Sequence, residues 1–267
     1  MEMVAPYPPG VIAVPGRIPG TAFFPGGAGL WDVDPTAVPP TLPPLPIGGV
    51  MVLGHDFHSE AGFLASLDQR TEVPRVRERG YRIAPTWIAL QRLFAEAAIP
   101  LHACFFTNAY MGLRAGAQTT GRFPGARDSG FVVRCQQFFL RQMAVQRPAL
   151  ILTLGAWVPA FLAPLAPALT PWCRARSLAA IDSAGPLVSA VSFREGAPVA
   201  TAVSAARAVG TVLLASPPPC TVAALTHPSL RGPNVGHRRF GGHVGHAAEL
   251  TLLKAATRAA GIVSCVA

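Results

Sequence analysis

The sequence predicts an α/β fold, a three-layer α/β/α sandwich around a central, mainly parallel sheet. Two observations carry the architecture. Short apolar runs at 50–53, 102–107, 149–154 and 222–225 are of strand length and apolar on nearly every residue, as strands covered on both faces are. Stretches with helical spacing alternate with them, and such alternation favours parallel strands with helices packed over them. A third observation points to a site. The first run stops at Gly54 and delivers His55, Asp56, Phe57 and His58; the second stops at Asn108; the last stops at Thr226-His227-Pro228-Ser229. Ligands of open α/β sheets bind beyond the carboxyl ends of the strands. If those three strands are parallel neighbours, Asp56, Asn108 and His227 meet on one edge.

Taken in order, residues 1–47 are rich in Pro and Gly and carry Phe23, Phe24 and Trp31, which reads as a loop-rich wrap anchored by aromatic rings. Residues 48–267 form a single α/β/α domain. The polar stretch 59–82, with Arg70, Arg75, Arg77, Arg79 and Arg82, reads equally as a loop facing phosphates or as a solvated surface. Thr86 is a plausible N-cap for a helix over 87–98, in which Trp87, Leu90, Phe94 and Ala97 repeat at helical spacing. After strand two, residues 108–114 and 119–125 read as loops. Asp128 or Ser129 caps a helix to about Gln146, with Val132, Cys135, Phe139 and Met143 on one face. No charge occurs between Arg147 and Arg174, yet Gly155, Pro159, Pro164 and Pro167 break that stretch, so a buried strand and short helix are expected rather than a membrane span. A hairpin around 194–196 and a closing helix over 242–261, with Ala247, Leu250, Leu253 and Ala256 or Thr257 inward, complete the reading.

Composition narrows the function. The chain of 267 residues is 51% apolar and only 13% charged, enough to bury a large core. Its 22 Lys plus Arg against 13 Asp plus Glu give net +9, nearly all from Arg, which suits a polyanionic partner and equally an Arg-favouring composition. The five Cys form no C-x-x-C pair and are odd in number, so neither a disulfide framework nor a thiolate metal site is signalled. The first ten residues lack a basic n-region and do not read as a secretory signal; a cytoplasmic location, no membrane partner, no cofactor, no metal and a monomer are expected.

The motifs G-H-D-F-H (54–58), F-F-T-N (105–108), L-I-L-T-L-G-A (150–156) and L-T-H-P-S (225–229), in this order, resemble the G-Q-D-P-Y-H, L-L-L-N, strand-then-Gly and H-P-S motifs of the uracil-DNA glycosylase superfamily. The resemblance covers about 49–261. It implies the fold named above and a monofunctional DNA glycosylase, with Asp56 and His227 as catalytic residues and Asn108 as the base reader. His58 stands where the family's tyrosine crowds C5 of the base, and Phe57 replaces its proline, which puts exclusion of C5 substituents in doubt. The tail H-P-S-L-R-G-P-N is closer to the single-strand-selective branch, which has Asn at the position of Asp56. The iron–sulfur branches are excluded by the missing four-Cys pattern.

The chemistry suits these side chains. A carboxylate below the sugar stabilises an oxocarbenium-like transition state and orients water, the role expected of Asp56. A donor on O2 of the departing base, the role of His227, is worth roughly 10²–10³ in rate. The Asn108 amide offers donor and acceptor to a base edge, and the base must leave the stack to reach it. His55, Phe57, His58 and Phe63 complete the expected base pocket. Ser229, Leu230 and Arg231 are expected at the duplex, with Leu230 or Arg231 as wedge, and Arg238 and Arg239 on phosphates. Each residue has an ordinary alternative: Asp56 as a helix cap, Asn108 as a turn residue, His227 as a buried loop histidine, Phe63 as core. No Lys lies near the motifs, so Schiff-base lyase chemistry is not implied. The competing functions are a glycosylase for bulky modified cytosines of phage DNA, a metal-dependent hydrolase built on His55, Asp56 and His58, and a non-catalytic DNA-binding relic.

Overall fold

The computed structural model describes residues 4–14, 47–64, 89–100, 103–194 and 217–262 in full, and 23–24, 27–28 and 85–88 as backbone. The strands are β1 (Val11–Ile12), β2 (Phe23–Phe24), β3 (Gly27–Ala28), β4 (Val50–Gly54), β5 (Cys104–Asn108), β6 (Leu113–Arg114), β7 (Leu150–Leu154), β8 (Leu187–Val191), β9 (Cys220–Leu225), β10 (Arg239–Phe240) and β11 (His243–Val244). The helices are α1 (Pro85–Glu96), α2 (Ser129–Gln146), α3 (Val158–Leu162), α4 (Leu178–Ala184), α5 (Arg231–Val235) and α6 (His246–Ala259).

Seven strands form the main sheet in the order β2-β3-β5-β4-β7-β9-β8. Its centre, β5-β4-β7-β9, is parallel throughout; β3 joins β5 and β8 joins β9 antiparallel at the edges. Alternation along each central strand explains why both faces are covered. Met51, Leu53, Phe105, Ile151, Val222 and Ala224 share one apolar cluster with Phe131, Cys135, Phe139 and Met143 of α2 and with Trp172. Val50, Val52, Cys104, Phe106, Leu152 and Ala223 share the opposite cluster with Leu90 and Phe94 of α1 and Leu252, Leu253 and Ala256 of α6. The result is a mixed α/β structure with a mostly parallel sheet and helices on both sides.

Several local expectations hold. Asp128 caps α2 by accepting the Phe131 N–H at 2.7 Å, and the expected inward face of α2 is buried at Cys135, Phe139 and Met143. Of residues 1–47 the stretch 4–14 lies against the domain, with Val4, Val11 and Val14 buried, β1 paired with β6 and Arg134 donating to the Val4 carbonyl at 3.0 Å; the side chains of Phe23 and Phe24, the expected anchors, lie outside the described residues. Trp31 and the arginines at 70–82 lie outside the described residues.

Other expectations are corrected. The helix expected over 87–98 begins at Pro85, so Thr86 lies inside it, and the start of the stretch read as a loop, 59–82, is helical over 60–64. The strands carrying Asp56 and His227 are not adjacent, because β7 separates β4 from β9. Residues 187–191, weakly patterned in sequence, form the antiparallel edge strand β8, while the hairpin expected around 194–196 falls mostly outside the described residues. The closing helix starts at His246, after a β10–β11 hairpin. Of its expected inward residues, Leu253, Ala256 and Thr257 are buried and Leu250 packs against the same cluster; Ala247 is exposed instead, and Ala248, Glu249 and Leu252 are buried as well. Glu249 turns inward because its carboxylate accepts the Thr226 N–H and pairs with Arg231, an attraction that apolar periodicity does not register.

Candidate active site at the carboxyl edge of the sheet

Parallel pairing puts the carboxyl ends of β5, β4, β7 and β9 on one edge. Gly54 stands opposite Asn108, and the chain continues the pairing beyond the strands: Ala109 donates to the Gly54 carbonyl at 2.9 Å, Tyr110 to His55 at 3.0 Å and Arg114 to His58 at 2.9 Å. The two exit loops are therefore zipped together, which fixes the path of His55-Asp56-Phe57-His58. On the other side the Gly155 N–H donates to the Leu225 carbonyl at 2.9 Å, and Gly155 lies against the side chain of His227.

Asn108 lies over Gly54. A Cβ added there would fall 2.2 Å from Asn108 Oδ1, so the position needs glycine for close approach. Gly54→Ala should displace the amide and lower any activity that depends on it by at least ~10-fold, the equivalent of one lost hydrogen bond of about 1.4 kcal/mol. An alanine variant with the parent's rate would show that Asn108 does not read the substrate.

Asp56 is held from several directions. Its Oδ1 accepts the His58 backbone N–H at 3.0 Å. Its Oδ2 accepts Arg114 Nη2 at 2.8 Å and Nε at 3.3 Å, and lies 3.0 Å from His55 Nδ1. Burial alone would raise the Asp56 pKa; the hydrogen bonds and charges of His55 and Arg114 outweigh it and hold the carboxyl below the usual carboxylate range. Arg114 is buried and also donates to the carbonyls of Thr120, Gly121 and Arg122, with its guanidinium 5.6 Å from the Phe123 ring centroid. The segment read as a plain loop, 119–125, is thus a carbonyl cage for a cation.

His55 sits among rings. It stacks on Trp157 with centroids 6.3 Å apart and planes at 22°, and meets Tyr110 and Phe123 edge-on at 5.4 and 6.4 Å. Tyr110 is largely buried and its hydroxyl pKa is pushed up by burial to about 12, so it stays protonated. Trp157 is partly exposed, 39%, at the mouth of this cluster.

His227 is mostly buried. Burial first, then the nearby His55, lower its pKa from 6.5, with Asp56 pulling the other way. Its Nδ1 is 2.8 Å from Ser229 Oγ. Because the fold prefers the neutral ring, the stability tied to His227 is complete above pH 6.5 and is lost as pH falls toward its lowered folded pKa. Melting temperatures of the parent should therefore drop on acidification below pH 6.5 more than those of His227→Gln; parallel curves would mean that His227 does not titrate this way.

The remaining expected site residues divide. Phe57 is half-buried against the core. His58 is exposed, with φ of 82°, and its ring lies over Gly62 with Nδ1 3.3 Å from Ser59 Oγ. Phe63 is buried in a small cluster with Val14 and Leu113, a packing position rather than a stacking platform. Ser229 and Leu230 are exposed beside His227. Arg231 is corrected as a wedge: it turns back to pair with buried Glu249 and contacts His246, which bonds Glu96 at 2.7 Å. Arg238 is corrected as a phosphate contact: it is 1% exposed, pairs with Asp182 at 3.0 Å and donates to the Ala224 carbonyl at 2.7 Å. Arg239 stays exposed.

Sequence reading missed Arg114, Tyr110, Phe123 and Trp157. Trp157 had a signal, an indole two residues past the strand-ending Gly155; Arg114 had none, since its partner is known only from the fold. Among the described residues no three His, Cys, Asp or Glu side chains gather into a possible metal site, and no helix is long and apolar enough to cross a membrane. Comparison of the chain with protein families and with curated proteins returns no match.

Proposed function

We propose that the protein is a monofunctional DNA glycosylase that flips out uracil or a C5-modified pyrimidine and hydrolyses its N-glycosidic bond. The observation that supports this most is the convergence, at one sheet edge, of an ionised carboxylate, an amide and a neutral imidazole beside a partly exposed aromatic cluster. These are the groups that N-glycoside hydrolysis requires: negative charge for the sugar cation, a two-way hydrogen-bonding reader for the base, and a donor for the leaving group. His227 Nδ1 lies 2.8 Å from Ser229 Oγ, and in the tautomer whose Nδ1 accepts from that hydroxyl the proton on Nε2 is free for O2 of the base. Exposed Leu230, three residues after His227, is suited to fill the gap left by the flipped nucleotide.

The test uses oligonucleotides carrying uracil, hydroxymethyluracil or modified cytosines, single- and double-stranded, followed by alkaline cleavage. Strand breaks at one of these bases are expected. Their absence from every substrate would leave a non-catalytic DNA-binding protein.

DNA binding brings its own expectation. The net charge of +9 should release counterions on binding, so affinity should fall steeply with salt, and Arg239→Ala should reduce the slope of log affinity against log salt by about 1. A flat plot for the parent would mean that the basic surface is not a DNA footprint.

A further inference from the structure

We infer that His55 is the base that activates the attacking water, and that Asp56 and Arg114 are its positioning residues. This rests on the glycosylase reading for the reaction, and on the geometry of 55, 56 and 114 for the roles.

Both oxygens of Asp56 are already engaged: Oδ1 by the His58 N–H, Oδ2 by two nitrogens of Arg114 and by His55 Nδ1. The Asp56 side chain is only 8% exposed. A carboxylate so placed, facing a guanidinium caged by three carbonyls, has little basicity left for water. It is well placed to orient an imidazole. An imidazole that donates through Nδ1–H presents Nε2 as an acceptor on the opposite side of the ring. The stack on Trp157 and the edges of Tyr110 and Phe123 fix the ring plane.

The step balances as a hydrolysis. Water oxygen bonds to the sugar C1′ as its proton passes to His55 Nε2. The C1′–N bond breaks and its electron pair leaves with the base, whose O2 is bonded by His227. The base anion then takes a proton from solvent, and His55 returns its proton to solvent. The products are a free base and an abasic sugar.

The test has an arm that needs no substrate. In ¹⁵N-histidine-labelled protein at neutral pH, long-range correlation spectra, assigned against His55→Gln, should show the His55 proton on Nδ1 and none on Nε2. A ring protonated on both nitrogens, or on Nε2 alone, overturns the proposal. The second arm is single-turnover excision of the best substrate. His55→Gln should lower the maximal rate about 10²–10⁴-fold, leave the half-saturating concentration near the parent's, and abolish the acid limb of the rate–pH curve. A variant that keeps the parent's rate and profile overturns the proposal. A parent that excises no base would sink the glycosylase reading, and the spectra would then decide the His55–Asp56 pair alone.

Discussion

Asp56→Asn should cost activity and stability together. An amide at this position can present N–H to His55 Nδ1 and so favour the wrong tautomer; where an orienting carboxylate of a hydrolytic Asp–His pair becomes an amide, the loss is on the order of 10⁴-fold. The same change withdraws the negative charge from Arg114, a buried cation whose side chain is 4% exposed. Losing a charge-assisted hydrogen bond costs about 1.5–3 kcal/mol, so thermal unfolding should shift down measurably. Single-turnover excision and melting curves of parent and variant, taken side by side, check both. A variant that turns over at nearly the parent's rate removes Asp56 from the mechanism, whatever its stability.

Arg238→Ala should damage the fold and spare the phosphate contacts. Arg238 ties three elements together: Asp182 of α4, the Ala224 carbonyl of β9, and the β10–β11 hairpin that follows it. Removing one member of a buried ion pair costs about 3–5 kcal/mol, because the other charge stays behind. At about 2–4 °C per kcal/mol for a chain somewhat smaller than this one, the melting temperature should fall by on the order of 10 °C. Burial pushes the Asp182 carboxyl up even though the Arg238 charge and the Arg239 N–H draw it down, so the pair does not recover its full desolvation cost. Replacing both partners by apolar residues, Arg238→Met with Asp182→Leu, should therefore restore much of the loss. The salt slope of DNA binding should stay at the parent's value in the double variant and decrease in Arg239→Ala. A fully stable Arg238→Ala would contradict the buried pairing.

These two residues also mark what the sequence could and could not reveal. The central strands were legible because buried parallel strands are apolar on nearly every residue, and Gly54 ends one of them just before a carboxylate and two imidazoles. The α2 cap and inward face were legible because both are local to a few consecutive turns. Arg238 was not, since an arginine in the run His237-Arg238-Arg239 looks like surface until Asp182 is brought to it. Glu249 gave no signal for the same reason, an acid drawn inward by Arg231 and a backbone N–H. Strands β2 and β3 are two residues each, too short to show any period.

Within the candidate site, Asp56, Asn108 and His227 were placed on one edge from strand ends alone. What remained hidden was the company they keep. Arg114 follows β5 in an apparently ordinary loop, and its burial against Asp56 changes that residue from a free carboxylate into an anchored one. His58 was expected beside C5, smaller than a tyrosine there and leaving room for a substituent; its positive φ turns the ring over Gly62 and toward Ser59 instead. A wide tolerance of C5 substituents is still expected, with His58→Tyr having a smaller effect on it than a change at Trp157.

Hydrolysis of an N-glycosidic bond at this sheet edge is followed through the oxygen of the attacking water. The protein is incubated in H₂¹⁸O with EDTA and a pyrimidine-modified oligonucleotide, and base and strand are weighed by mass spectrometry. The expected result is free base and an unbroken abasic strand carrying one ¹⁸O, with Asp56→Asn and His227→Gln each sharply slower. Release of no base from any substrate, or release that EDTA abolishes, would contradict it.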